Sequence, residues 1–362
     1  MKTEKYLMTN EEKIGFGLKS LYRDYGYSCF KMSKFEEYDL YGQNKDFLIS
    51  DSVITFTDTD GKLMALKPDV TLSIVKNSPS DPKGVERLFY NENVYRISDS
   101  TRRYKEIMQT GLECIGNLTD YNVFEVVFLA AKSLESISEN NVLVLSHLGV
   151  LTAVFDDIEC DRKKLLKNIS EKNIRGVRDC CSEFKIEGIN AEILNTVTVS
   201  DGEPDKIINA LYGKTDNPKI KKALKELNAV VLFLKSAGYN KIRVDFSLVS
   251  DMNYYNGVIF RGYVKDVPAR VISGGQYDKL MAKMGKKSKA VGFAVYLDLT
   301  ERVKKENPTD VDVLLIYNES DDPCKVLSTV NSFVRNGESV AAYSYIPEKL
   351  IYGKKVFLNE AE

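Results

Sequence analysis

YNENVYRISDSTRRYKEIMQTGLECIG, residues 90–116, is the stretch that decides the fold. Val94, Tyr95 and Ile97 are β-formers on either side of Arg96. The polar run Ser98-Asp99-Ser100-Thr101-Arg102-Arg103 interrupts them, and a second strand-like run carries Ile107, Gln109, Leu112 and Cys114. The spacing predicts a long antiparallel hairpin with a basic loop. Alternation sends Gln109, Gly111 and Glu113 to one face and Met108, Leu112 and Cys114 to the other. If the second set faces a core, an amide and a carboxylate stand side by side on the first. Such a pair can hold an ammonium or an imidazole through charge-assisted hydrogen bonds. On an open sheet face the same two side chains are simply solvated.

Working outward, residues Glu11–Tyr25 show helical spacing, with Ile14, Leu18, Leu21 and Tyr22 on one stripe and Gly26 as the stop. Residues 26–41 read as a strand with polar punctuation. Thr55–Asp58 and Leu63–Leu66 read as strands around the turn Thr59-Asp60-Gly61-Lys62. Pro68 then ends regular pairing, and Asp69 or Thr71 can cap a helix over Leu72–Val75. Leu118–Ser138 is helical and Val142–Leu148 a strand. From about residue 150 to 240 the chain is rich in Lys, Glu, Asp and Asn. Helical stretches are expected there at Asp161–Glu171, Ile174–Phe184, Glu203–Leu211 and Pro218–Ala237, with their charges on solvated faces. Strands return at Lys241–Val249 and Val258–Tyr263. Residues 310–358 read as a β-α-β piece. The expected organisation is one α+β domain over 1–305 with a helical insertion, then a small α/β domain over 306–362.

Composition narrows the function. The chain has 362 residues, too long for one hydrophobic core. A net charge of -1 supplies no global field for nucleic acid. No apolar run is long enough to span a membrane, and the start lacks the apolar stretch of a signal peptide. The expectation is a cytoplasmic protein with reduced thiols. None of the six cysteines forms a C-x-x-C pair and His147 is the sole histidine, so no metal site is expected. His147 lies in an apolar run and reads as structural.

The hairpin resembles the second signature motif of class II aminoacyl-tRNA synthetases, most closely that of histidyl-tRNA synthetase. The family pattern, roughly FRxE, a loop and GRYRQFHQxGxE, meets Tyr95-Arg96 and then Arg103-Tyr104-Lys105-Glu106-Ile107-Met108-Gln109-Thr110-Gly111-Leu112-Glu113. Four further segments, one before the hairpin and three after it, match in family order. Leu66-Lys67-Pro68-Asp69-Val70-Thr71 matches LRPEGT, whose acid and Thr hold an amino group. Residues 248–257 match LVRGLDYYTG, with both tyrosines kept as Tyr254 and Tyr255 but Ser250, Asn253 and Asn256 in place of Arg, Asp and Thr. Gly274-Gly275-Gln276-Tyr277-Asp278 matches the GGxYD segment that lines the amino-acid pocket. Residues 290–299 match the third motif, GFAIGLERL, with Leu299 in place of the arginine that clamps ATP. Arg302 lies three positions on, where an α-helix would turn it elsewhere.

What is kept and lost has a functional meaning. Losing a preorganised cation that stabilises developing charge typically costs about 10²–10³ in rate. The resemblance therefore implies a pocket that keeps histidine recognition through Asp69, Thr71, Arg96, Gln109, Glu113, Tyr254, Tyr255, Gly274 and Gly275, and has no catalytic residues and no cofactor. This is similar to the regulatory-subunit family of ATP phosphoribosyltransferase, paralogues of histidyl-tRNA synthetase. It implies a class II antiparallel sheet, a homodimer through residues 26–41, and a catalytic short-form ATP phosphoribosyltransferase as partner in the first step of histidine biosynthesis. An active amino-acid-activating enzyme and a stand-alone amino-acid-binding module stay open as alternatives.

Overall fold

The computed structural model describes residues 8–44, 53–80, 84–97, 101–249, 252, 254–302 and 309–360. The chain divides into two compact units, Asn10–Val303 and Lys304–Glu362 with Met1–Thr9.

In the larger unit, helix α1 (Asn10–Asp24) opens on Glu11 and Glu12, which suit the positive end of the helix dipole. It buries Leu18 and Tyr22 on one stripe, and Tyr22 shares a 2.9 Å hydrogen bond with Ser133. Residues 26–41 depart from the single strand expected. They give β1 (Ser28–Cys29), β2 (Phe35–Glu37) and helix α2 (Tyr38–Gly42). The Ser33 hydroxyl accepts from the Phe35 amide and turns the chain, and α2 buries Tyr41. Strands β3 (Thr55–Thr57) and β4 (Leu63–Leu66) complete a small antiparallel sheet in the order β2-β4-β3. Helix α3 (Thr71–Asn77) follows.

The long hairpin is β5 (Val85–Ile97) and β6 (Tyr104–Gly116), paired from Val85↔Gly116 to Ile97↔Tyr104. Helix α4 (Asp120–Ile137) starts at Thr119, whose amide donates to the Asn122 side chain. Strand β7 (Asn141–His147) leads into the helical insertion. This comprises α5 (Leu148–Asp156), α6 (Arg162–Ser170), α7 (Ile174–Glu183), α8 (Gly188–Val199), the short β8 (Asp201–Gly202), α9 (Pro204–Tyr212) and α10 (Pro218–Ser236). Two of these, α5 and α8, go beyond the four helical stretches expected. The α5 sequence is apolar on nearly every side, so it has no stripe to read.

Strand β9 (Ile242–Asp245) is shorter than expected, because the Asp245 carboxylate accepts from the Ser247 amide and closes an Asx turn. Strands β10 (Val258–Val264) and β11 (Ile272–Gln276), helix α11 (Asp278–Lys283) and β12 (Lys289–Tyr296) finish the unit, with a 3₁₀ turn at Leu297–Arg302. The main sheet runs β1-β5-β6-β12-β11-β10-β7-β9-β8. Its pairs are antiparallel except β1–β5 and β7–β9. One face packs on α1, α4 and the insertion through Leu112, Cys114, Phe260 and Phe293. The other carries Tyr90, Ile115 and Tyr277 against α2, α3 and α11.

The smaller unit is a parallel sheet β14-β13-β15, formed by β13 (Val311–Ile316), β14 (Val340–Tyr343) and β15 (Tyr352–Phe357). Helix α12 (Pro323–Arg335) makes the crossover between β13 and β14, capped by the Asp322 carboxylate on the Cys324 amide.

Candidate functional site

Glu113 is the centre of the site. Residues paired across strands share a face, so its row runs Leu88, Glu113, Gly292 and Gly275. The adjoining row is Tyr90, Gly111, Ala294, Ser273 and Arg261. Small residues thus floor a trough across the middle of the sheet. A methyl group on Gly292 would strike the Glu113 carboxylate, and one on Gly111 would strike the Tyr90 phenol. The trough exists because these positions lack side chains.

The Glu113 side chain is 2% exposed. Tyr277 Oη donates to its Oε2 at 2.6 Å and Thr71 Oγ1 to its Oε1 at 2.8 Å. No cation pairs with it among the described residues. Burial raises its pKa from near 4.5 to about 8, the two hydroxyl donors pull it back, and the Asp69 charge adds to the rise. Asp69 is buried as well, and its pKa is raised by burial. Its Oδ1 accepts from the Leu72 amide at 2.9 Å, and the Arg96 charge offsets part of the shift. The capping and ligand readings of Asp69 are compatible, since one oxygen is committed to the helix start.

Gln109 is 3% exposed, and its Nε2 has no hydrogen-bond partner among the described residues. A buried N–H without an acceptor costs about 1–3 kcal/mol. Beside it in register stands Glu92, held at 2.6 Å by the fully buried Lys67. Arg96 Nε donates to the Pro68 carbonyl at 2.9 Å, which ties the hairpin to the segment carrying Asp69. Tyr254 packs edge-on against Tyr255 with centroids 4.6 Å apart, and tilted against Tyr277 at 5.8 Å. Burial, then the nearby Asp69 charge, pushes the Tyr254 phenol well above its ordinary range. These tyrosines form an aromatic wall beside two buried carboxyls.

The structure brings Asp69, Thr71 and Glu113 together, with Tyr254 and Tyr255 beside them, Arg96 at the margin, and Gln109 four residues along the same strand face from Glu113. The glycine pair is corrected. Gly275 faces the trough, where its Cβ would meet Tyr255. Gly274 turns to the opposite face, against Phe293 and Phe260, because successive strand residues alternate. Three contributors were absent from the sequence-based set. Tyr277 supplies the shortest hydrogen bond to Glu113. Tyr90 walls the trough, and Arg261 lies on its floor row. The GGxYD segment pointed to Tyr277, and strand parity alone could have found Tyr90.

Asn256 is engaged locally: its amide donates to Asp278 Oδ2 at 3.2 Å and its Oδ1 accepts from the Asp278 amide at 2.7 Å. Asp278 in turn accepts from the Ala290 amide, so the tyrosine loop is tied to the start of α11. Leu299 packs half-buried against the main core and offers no charge. Its segment is 3₁₀, in which residues three apart eclipse, so the α-helical argument about Arg302 does not apply. The Arg302 side chain, Ser98, Ser250 and Asn253 lie outside the described residues. His147 is a helix cap: its Nδ1 accepts from the Gly149 amide and its Nε2 meets Glu226 at 3.0 Å. Among the described residues no cluster of metal-ligating side chains occurs, and no helix is long and apolar enough to cross a membrane.

Comparison with known proteins agrees with this architecture. The family model described as Histidyl-tRNA synthetase matches residues 8–299. The ATP phosphoribosyltransferase regulatory subunit of Clostridium kluyveri is 30% identical over 319 residues, covering 83% of this chain and 81% of the relative. That of Acetivibrio thermocellus is 26% identical over 317 residues, covering 83% and 75%. Among solved structures, an ATP phosphoribosyltransferase regulatory subunit/histidyl-tRNA synthetase from Bacillus halodurans superposes with a TM-score of 0.76 at 25% identity, covering 96% of this chain and 93% of the other. A histidyl-tRNA synthetase from Nostoc superposes at 0.70 with 15% identity, covering 94% and 83%, a likeness of fold. A sheet of this topology, with the motif segments gathered around one trough, places the chain in the ATP phosphoribosyltransferase regulatory subunit family, a branch of the histidyl-tRNA synthetase family.

Proposed function

We propose that this chain is a non-catalytic subunit that binds free histidine in the Glu113 trough and regulates a short-form ATP phosphoribosyltransferase, the first enzyme of histidine biosynthesis. The observation that carries the reading is the Glu113 carboxyl, buried between two hydroxyl donors with no cation of its own among the described residues. An imidazolium or ammonium supplies the missing charge. Asp69 offers a second acceptor, Gln109 an unused N–H for a carboxylate, and Tyr254 and Tyr255 a wall of imidazole size. Leu299, which stands where the synthetase pattern has its ATP-clamping arginine, supports the regulatory reading over the alternative of amino-acid activation. The relatives' name supports the partner, and a homodimer within the complex fits the same family.

Two measurements test this. The purified chain should show no histidine-dependent ATP–pyrophosphate exchange, and exchange at synthetase-like rates would overturn the regulatory reading. Co-expressed with a short-form ATP phosphoribosyltransferase, it should co-elute on sizing and raise partner turnover, with histidine lowering that turnover. A chain that neither co-elutes nor changes turnover would leave only an amino-acid-binding module.

A further inference from the structure

A second concave site lies away from the trough. A cleft of about 540 Å³ is lined by Arg162, Lys163, Lys167 and Lys279 together with apolar side chains. It lies between the insertion, whose charges the sequence presents as solvated faces, and the segments that carry Val249, Met252 and Lys279. Its geometry differs from a solvated face in three ways. Four cations converge from two helices, Arg162, Lys163 and Lys167 from α6 and Lys279 from α11, with no carboxylate among the described lining residues. None of the four makes an ion pair among the described residues. The nearby Asp156 carboxylate is taken by Lys219 at 2.6 Å.

Second, Arg162 and Lys163 occupy the first turn of α6, where the helix dipole disfavours positive charge. Lys163 and Lys167 stand four apart on the same helix face, a like-charge pair that destabilises a helix. Both are costs in an empty cleft and gains with an anion present. Third, the cleft has an apolar floor of Leu166, Val249 and Met252. Phe155 also lines it, with the Arg162 guanidinium 5.5 Å over the ring and donating to the Phe155 carbonyl at 2.9 Å. That lock fixes the guanidinium while leaving its other N–H groups to a ligand. The volume is that of a small-molecule site, and four cations over apolar carbon call for more than one negative charge on a carbon body.

We propose that this cleft binds a small ligand carrying a diphosphate group. Two walls connect it to the tyrosine loop: Met252 lies two residues before Tyr254, and Lys279, which donates to the Met252 carbonyl at 3.3 Å, lies two residues after Tyr277. Occupancy of the cleft is thereby linked to the position of the aromatic wall. The inference stands independently of the histidine reading.

The test is calorimetric titration of the full-length chain with inorganic pyrophosphate. Saturable binding at one site per chain is expected, weakening several-fold between roughly 50 and 200 mM salt. The exposed double change Lys163→Gln, Lys167→Gln should weaken it by about tenfold or more while leaving the ligand-free melting temperature the same or slightly raised. Glu113→Gln should bind pyrophosphate like wild type. Absence of saturable binding at millimolar pyrophosphate, or undiminished binding by the double variant, overturns the proposal. So does loss of binding in Glu113→Gln, which would move the anion into the trough. Binding of a short single-stranded RNA with no response to pyrophosphate would make the cleft a nucleic-acid contact and overturn it likewise.

Discussion

Glu113 shows at the residue scale what an uncompensated buried acid does. Below about pH 4.5 its carboxyl is protonated in both folded and unfolded chains and costs nothing. Between 4.5 and about 8 the unfolded chain releases the proton and the folded chain keeps it. Stability is therefore lost as pH rises through that window, by on the order of 1 kcal/mol per pH unit at most. The ligand-free melting temperature should fall between pH 5 and 8, and Glu113→Gln should flatten the fall. An equally steep profile in the variant would show that Glu113 does not carry it. Histidine should reverse the cost. Glu113→Gln should lose roughly 2–5 kcal/mol of histidine affinity by calorimetry, the usual penalty for removing one charged partner of a buried group. The facing of Gln109 and Glu113 was legible from the strand period. The closeness of Glu113 to Asp69 and Tyr277 was not, because those residues lie dozens to more than 150 positions away in the chain.

The elements place the residues by parity. In the central strands, the trough needs glycine where Glu113 crosses β12, at Gly292, and where Tyr90 crosses β6, at Gly111. Gly292→Ala would press on the Glu113 carboxylate, and Gly274→Ala on Phe293 and Phe260 on the far face. Each should destabilise by about 1–3 kcal/mol, as overpacking does. Only Gly292→Ala should also abolish histidine binding, and calorimetry on both variants at a temperature where each is folded separates them. Equal affinities would remove Gly292 from the pocket. The glycine pair in the sequence did not say which member faced the site, since that depends on register against β10 and β12. Similarly, β9 ends at Asp245 through a local Asx turn, although the apolar residues beyond it continue a strand-like pattern.

For the whole molecule, the trough, the cleft and the tyrosine loop all lie within Asn10–Val303. That segment expressed alone is expected to melt cooperatively and to keep the histidine affinity of the full chain. A loss of affinity would bring the C-terminal unit into the site. Regulation of a second polypeptide requires that histidine bind one assembly state better than another. If the proposed pocket and the docking surface are separate sites, coupled by the roughly 1–3 kcal/mol usual for allostery, Tyr255→Ala in the complex is expected to relieve histidine inhibition while leaving partner activation nearly intact. Partner turnover against histidine concentration reads this directly, and an unchanged inhibition curve would place the feedback elsewhere.

By itself the sequence determined the hairpin, most of the helices, the facing of Gln109 and Glu113, and the family. Those follow from the periods of strand and helix and from short motifs, which are local. Tertiary structure alone decided that Tyr277 and Thr71 clasp Glu113, that Gly275 rather than Gly274 looks into the trough, and that lysines of the insertion line a cleft beside the tyrosine loop. These depend on register across non-consecutive strands and on the packing of distant helices, and neither leaves a periodic trace in the chain.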